Sequence, residues 1–580
     1  MTGRYSIILL VYYEEKMEEE KLSQLRQKIL KKCSYKKRNK LKAMKREGED
    51  THYYDDDIAE TISEEFTDRI SVIHLIGDII RAFGGLIGLR REIKAERLEE
   101  IVLKKIINDK KISRKDIADL TRISKVSGNT IIPFMNGGPE GPNWNNAPDG
   151  FYDQIDKAEK FIIGVELGFK GDSYGYEVAE KLIAKKQESN IHISVLIDGF
   201  VSIFMQKPDR DNPFQKSTQD MIKKMKNAGI NVRINDSWNP ASSDFLAANH
   251  VKLWIFDGAT AFFGGIGIES QFKETLYDQM DLVRGPFVKV LTLMAILLLT
   301  NQKKSLTDND DSATQIHEMK EKIKEVFLPN MEHTKDIFFE LAMNVPGYVQ
   351  DAQKKYIKLL KHKHVREIYI MAPYFSDDKI ARALVKASTV LCEKLTHEKI
   401  RQLKQEHSDW DEEKMKYNAN SELEKDKRIH IIFPKKQENV IIEEVSKYYA
   451  YYLRCNPIVD TRQYVAKIGD KYYEMLHAKQ MVVVLHDKKT NWTKYVKFGG
   501  SYNPAGRAHN MWELNATAYN FPFEKSDEPD SADNPIKCYL DDVMKKVVDS
   551  YSEPFPWGQK EIKISILEKF VMKIAQISWF

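Results

Sequence analysis

Two short stretches of this 580-residue chain carry a histidine and a lysine two positions apart. The first is NHVKLWIFDGATAFFGGIG, residues 249–267, which holds His250 and Lys252, then Asp257, and closes on glycines. The second is LHAKQMVVVL, residues 476–485, with His477 and Lys479, and it leads to GSYN at residues 500–503. In a strand, residues two apart share a face, so each histidine projects with its lysine while Val251 and Leu253 turn into a core. Burying an unpaired ammonium is very costly, so such a pair makes a poor core face. Facing a phosphate it makes sense: the lysine supplies charge, and the histidine can be a nucleophile or a proton donor near neutral pH. One such pair is unremarkable in any strand. Two, each followed by a glycine-rich turn, point to a single site with two contributors.

The elements around the pairs repeat as well. FIIGVEL reads as a strand, YEVAEKLIAKKQ as a helix, IHISVLID as a strand, DMIKKMKNAG as a helix ended by glycine, and INVRIN and HVKLWIF as further strands. Later REIYIMAPYF, DKIARALVKAS, RIHIIFP, EVSKYYAYYLR and LHAKQMVVVL follow in the same order. The alternation predicts an α/β fold with a two-unit repeat of a little over about two hundred residues. A charged stretch at residues 392–427 reads as a helical excursion within the second unit, and residues 300–315 as a linker. VVVLHDKKTNWTKYVKF reads as a hairpin with KKTN at its turn. The boundaries expected are a helical, charge-rich N-terminal extension (1–127), a first half (128–345), a second half (346–552) and an amphipathic C-terminal helix (553–580).

Composition excludes other classes. The net charge of +4 is small for this length, so no global polyanion-binding signature exists. Eleven Lys or Arg residues without an acid fill residues 26–46, which reads first as a solvated helix or arm. SRKDIADLTRIS, residues 113–124, has a faint helix-turn-helix flavour. The four cysteines, Cys33, Cys392, Cys455 and Cys538, lie far apart and have no zinc-ligand spacing. No signal peptide and no transmembrane helix is expected: the apolar run at 290–302 is too short to cross a bilayer. The reading is a cytoplasmic or peripheral membrane protein, and reduced cysteines are compatible with export by a non-classical route. In the tail, Ile566, Phe570, Ile574 and Ile577 form one stripe opposite Lys569 and Lys573, which suits either an interfacial helix or packing on its own domain.

On the paired motifs the chain resembles the phospholipase D superfamily, whose mark is a duplicated HxKxxxxD followed by a GGxN or GSxN turn. The likeness extends over residues 129–551, is nearest to the cardiolipin synthase and bacterial phospholipase D branch, and includes LIDG, GPFV and APYFSDD. It implies two pseudo-symmetric halves, each a mixed sheet flanked by helices, whose motif strands meet at one site. It implies a phosphodiesterase or phosphatidyltransferase that cleaves phospholipid headgroups at a membrane surface through a phosphohistidine, with water or a primary alcohol as acceptor. In that scheme His250 is the nucleophile and His477 the acid and base. Lys252, Lys479, Asn503 and Ser501 hold the phosphate oxygens, and neither metal nor cofactor is required. The resemblance also asks for a carboxylate behind each histidine: Asp278, with Asp281 as competitor, fits the first half, and Glu513 the second, with Arg507 between it and Asn503.

Two departures stand out. Gly267 occupies an asparagine position, which makes the phosphate pocket asymmetric. Val484 occupies the second aspartate position, and the next acid is Asp487; the first motif keeps Asp257 in a supporting, structural part. A metal-independent nuclease of the same superfamily, binding nucleic acid, and a membrane-binding protein with a decayed site are the alternatives.

Overall fold

The first strand after the N-terminal region, β1 (Val126–Met135), takes part in both sheets. Its residues 130–135 start the first sheet, and Val126 and Asn129 reach the second. In the first half β1 is followed by α1 (Phe151–Lys157), β2 (Phe161–Glu166), α2 (Ser173–Ser189), β3 (His192–Asp198), α3 (Pro213–Asn227) and β4 (Asn231–Asn235). Then come β5 (Leu253–Phe256), β6 (Thr260–Gly264), β7 (Gln279–Arg284) and α4 (Phe287–Asn301). The second half runs β8 (Ile337–Val345), α5 (Asp351–Leu360), β9 (Val365–Met371), α6 (Asp378–Glu406), α7 (Glu412–Lys425), β10 (Ile429–Pro434), α8 (Val440–Leu453) and β11 (Val459–Tyr464). It ends with β12 (Gln480–Asp487), β13 (Trp492–Gly500), β14 (Glu513–Tyr519) and β15 (Ser552–Pro554). The structure is a computed structural model. It describes residues 117–555 except 119, 123–125, 137–142, 200, 203–212, 236–246, 302–336, 347, 436–439, 455, 466, 469–470, 473–474, 506–507, 509–510, 521–522 and 525–533.

The repeat read from the sequence is a repeat of topology. The first sheet has strand order β1-β7-β6-β5-β2-β3-β4. The second has β8-β14-β13-β12-β9-β10-β11, closed on its far edge by β15. In each, the last three strands are parallel and the others antiparallel, and β1 joins β8 antiparallel to link the sheets. This is a mixed α/β architecture with helices on the sheets, as expected.

Side-chain period two is visible even where every residue is buried. In β5, Leu253 and Ile255 enter a core shared with Val482, Leu514 and Ala516 of the second sheet, while Trp254 and Phe256 enter the core beneath α2 and α3. The apolar helix α4 is buried among the shared-core residues, which accounts for its uncharged run. Among the described residues no helix is long and apolar enough to cross a membrane. The charged stretch at 392–427 is helical, carried by the end of α6 and by α7, which close on Leu403, Met415 and Ala419. The hairpin falls as read, with β12 and β13 joined across residues 488–491. The basic segment at 26–46, most of 113–124, the linker beyond 301, Arg507 and the tail stripe lie outside the described residues.

Candidate active site

Neither histidine lies inside a strand, which corrects the sequence reading. His250 and Lys252 precede β5, and His477 and Lys479 precede β12, in irregular backbone. The reason is a hydrogen bond across the molecule. The backbone N–H of His250 donates to the carbonyl of Trp512 at 2.9 Å, and that of His477 donates to the carbonyl of Tyr277 at 2.8 Å. Each acceptor stands one residue before a carboxylate of the other half. The partner backbone therefore takes the donor that a sheet ladder would have used. Around His477 the pairing extends to two-residue strands, Met475 opposite Leu276 and Leu476 opposite Tyr277.

The side chains follow the same exchange. Nδ1 of His250 lies 3.0 Å from Oε2 of Glu513, and Nδ1 of His477 lies 2.6 Å from Oδ2 of Asp278. The sequence placed one carboxylate in each half; the structure gives each to the histidine of the other half. With Nδ1 engaged, Nε2 is the nitrogen turned to chemistry. Asp281, the competitor, does not reach either histidine: it holds Lys497 of β13 in a buried ion pair, and Gln279 Nε2 donates to it at 2.6 Å.

Lys252 donates to the carbonyl of His250 at 3.2 Å, and Lys479 to that of His477 at 2.7 Å. Lys479 also lies 2.8 Å from Nδ1 of His477 and 3.6 Å from Asp278. All four side chains are nearly buried, the histidines 8% and 7% exposed and the lysines 2% and 4%. Desolvation is therefore the largest influence on each. Burial, then the lysine charges, hold the His250 imidazole well below its usual range and lower His477 to about 4. Lys479 is lowered to about 8 by burial, against the pull of Asp278, and Lys252 is lowered in the same way.

The carboxylates differ. Burial raises the Asp278 carboxyl, but Lys479, His477 and the N–H of Gln279 outweigh it, and the net shift is downward. Burial raises Glu513 to about 8 despite the Ser501 hydroxyl and both lysines. Ser501 donates to Oε2 of Glu513 and accepts the N–H of Leu514 at 3.0 Å, so its hydroxyl positions the carboxylate behind His250. Asn503 is 8% exposed and its side-chain oxygen has no hydrogen-bond partner among the described residues; the same holds for Oε1 of Glu513.

The first motif cannot supply matching groups. Gly265 stands where the second motif has Ser501, and a Cβ there would lie 2.2 Å from Oδ1 of Asp278. Gly267 stands where Asn503 is, and a Cβ there would meet the Phe272 ring at 3.0 Å. That ring packs edge-on against His477, with centroids 5.2 Å apart. An aromatic wall thus fills the place of the missing amide.

Asp257 is remote from this chemistry. It sits in the turn after β5 at φ 54° and accepts the N–H groups of Glu159, Lys160 and Phe161 at 2.8–2.9 Å, tying the turn to the start of β2. Val484 lies inside the longer β12, in the shared core, where a carboxylate would have no such amides. Asp487 reaches the turn instead and accepts the N–H of Lys489 at 3.0 Å.

Glu166 was not singled out by its sequence, where it ends an apolar strand. It is fully buried, accepts from Trp254 Nε1 at 2.6 Å, and its other oxygen has no partner among the described residues. Burial holds it well above the usual carboxylate range, with Trp254 and Lys252 pulling the other way. Burial outweighs the pull of Glu513, Glu166, Asp278 and Glu269 on Lys252, and its net shift is downward.

No protein-family model and no curated protein matches the chain. Solved structures similar to it include a phosphatidylserine synthase from Haemophilus influenzae Rd KW20, at 13% identity and a TM-score of 0.44, covering 73% of this chain and 92% of that one. A polyphosphate kinase from Porphyromonas gingivalis is similar at 8% identity and a TM-score of 0.35, covering 77% and 55%. Nuc, a phospholipase D family member from Salmonella typhimurium, is similar at 17% identity and a TM-score of 0.22, covering 30% and 93%.

Proposed function

We propose that this chain is a phospholipase D-type phosphodiesterase or phosphatidyltransferase that cleaves phospholipid headgroups through a phosphohistidine. The observation that carries the reading is the crossed pairing: two histidines from two halves, each with Nδ1 on a carboxylate of the opposite half and each beside a lysine. A phosphodiester is the substrate this arrangement suits, because a monoanion entering between two buried lysines offsets their mutual repulsion.

In this scheme Nε2 of His250 attacks phosphorus, the bond to the headgroup oxygen breaks, and His477 gives its Nε2 proton to the leaving alkoxide. His477 then takes a proton from water or a primary alcohol, whose oxygen attacks phosphorus and displaces His250. The asymmetry of the carboxylates supports this assignment of roles. The acid must exist as an imidazolium, and the ionised Asp278 at 2.6 Å stabilises that charge better than a Glu513 whose carboxyl is raised to about 8. The nucleophile must be neutral; burial lowers both imidazoles, so the distinction between them rests on the carboxylates. In this scheme a phosphate that engages Lys479 and Lys252 opposes two of the influences that lower His477. In this scheme Asn503 holds a non-bridging oxygen through its side-chain N–H group.

The test is incubation with mixed phospholipid vesicles and 1-butanol in the presence of EDTA. Phosphatidic acid and phosphatidylbutanol are expected, with loss of both in His250→Ala. No lipid product, with cleavage of DNA or RNA in EDTA abolished by His477→Ala, would replace this reading by the nuclease one.

A further inference from the structure

At the opposite end of the second sheet from the histidines lies a groove of about 310 Å³ between the end of α5 and the middle of α6. Its ionisable lining is basic throughout: Lys361, His362, Lys363, Lys386 and Lys394. None of the four lysines forms an ion pair or a hydrogen bond through Nζ among the described residues. Glu398, which Lys394 also influences, is already held by Lys488 at 2.6 Å and Arg366 at 3.3 Å. After burial, the groups that lower His362 are all cationic, His364, Lys494, Lys363 and Lys358, so the positive field extends beyond the lining. The end of α5 contributes about half a negative charge, far less than four ammonium groups supply. The floor is apolar, formed by Leu360, Val365 and Leu391, and Val390 beside it is 57% exposed.

A cluster of cations that outnumbers the carboxylates it influences, Glu398 and Asp487, and lies over an apolar floor asks for a ligand with an anionic head and an apolar body. We propose that this groove binds the phosphate headgroup and upper acyl chain of a single anionic phospholipid, at a site separate from the histidine centre. β9 runs from Val365 in the groove to Met371, which pairs with Gln480 beside the histidine-lysine segment, so about 20 Å of strand separates the two. Occupancy therefore does not depend on the reading of the histidine site. A nucleic acid backbone would match the charge but leave the apolar floor and Val390 uncovered.

The experiment is photolabelling of the full chain with a short-chain phosphatidic acid that carries a diazirine on one acyl chain, followed by peptide mapping. Label is expected on peptides spanning 360–365 and 387–391, undiminished in His477→Ala, and reduced on the order of tenfold in Lys363→Glu/Lys386→Glu. Circular dichroism of the double variant establishes that it is folded, since both residues are exposed. Label confined to peptides of the histidine site, or groove labelling indifferent to the charge reversal, would overturn the proposal. So would displacement of the label by inorganic phosphate or an oligonucleotide at concentrations below those of unlabelled lipid.

Discussion

The two halves of the histidine site share a backbone plan and differ in what fills it. In each, a histidine N–H crosses to the carbonyl before the other half's carboxylate, and a lysine folds back on the histidine carbonyl. Behind His477 stands a short contact to an aspartate held low by Lys479. Behind His250 stands a longer contact to a glutamate shared with a serine hydroxyl and raised to about 8. The glycine-rich turns differ too, with Ser501 and Asn503 in one and, in the other, Gly265 and Gly267, the latter against Phe272. A symmetric frame thus holds an asymmetric pair: burial lowers both imidazoles, and the carboxylates behind them shift in opposite directions.

The sharpest way to break this comparison is to remove each histidine and vary the leaving group. His250→Ala and His477→Ala should each lower phospholipid cleavage by roughly a thousandfold or more. With a phosphatidyl ester of p-nitrophenol, which leaves without protonation, His477→Ala should recover most of the release of nitrophenol and accumulate label on His250. His250→Ala should recover none. Recovery in His250→Ala instead would exchange the two roles.

The carboxylates should then separate by size of effect. Asp278→Asn removes the charge that stabilises the imidazolium, and about a hundredfold or greater loss of kcat is expected. Glu513→Gln replaces a carboxyl that is already protonated near neutrality, so about tenfold or less is expected. Equal losses in a paired kinetic comparison would remove the polarity argued above.

On the phosphate side, Asn503→Ala should cost about a hundredfold in kcat, as for a lost oxyanion donor. Gly267→Asn should not restore it, because the new Cβ meets the Phe272 ring at 3.0 Å. Adding Phe272→Ala opens that space, and partial recovery in the triple variant is the expected result. Recovery by Gly267→Asn alone would show that Phe272 does not occupy the amide's place.

Much of this is legible in the sequence alone. Alternation in strands such as β5 and the order of elements revealed the repeat, because period two survives even in fully buried strands. The histidine-lysine pairs were legible because such residues are out of place on a core face. What the sequence hid depends on contacts between distant segments. The exchange of Asp278 and Glu513 needs both halves together, and the carbonyls of Trp512 and Tyr277 act through backbone that any residue has. Asp278 and Asp281 were inseparable as letters. Three residues apart, they point to opposite sides, one to His477 and the other to Lys497. Glu166 ended an apolar run and carried no periodic signal of its own.

The smallest effect tests the carboxylate difference without substrate. Glu513 titrates at 4.5 unperturbed and at about 8 in the fold, so between those values the native state keeps a proton that the unfolded chain has released. Its contribution to stability is present below pH 4.5 and is lost as pH rises through 8. His477 has the opposite sign: lowered from 6.5 to about 4, it costs stability as pH falls through that window and nothing above it. Lys479, lowered from 10.5 to about 8, adds stability only as pH rises above 8. The interval from pH 6.5 to 8 therefore isolates Glu513 among the three. Glu513→Gln cannot titrate, so its Tm should gain on the wild type by a few °C from pH 6.5 to 8. A Tm difference that is flat across this interval would mean that Glu513 is ionised throughout, as Asp278 is. The two halves would then be alike in charge as well as in frame.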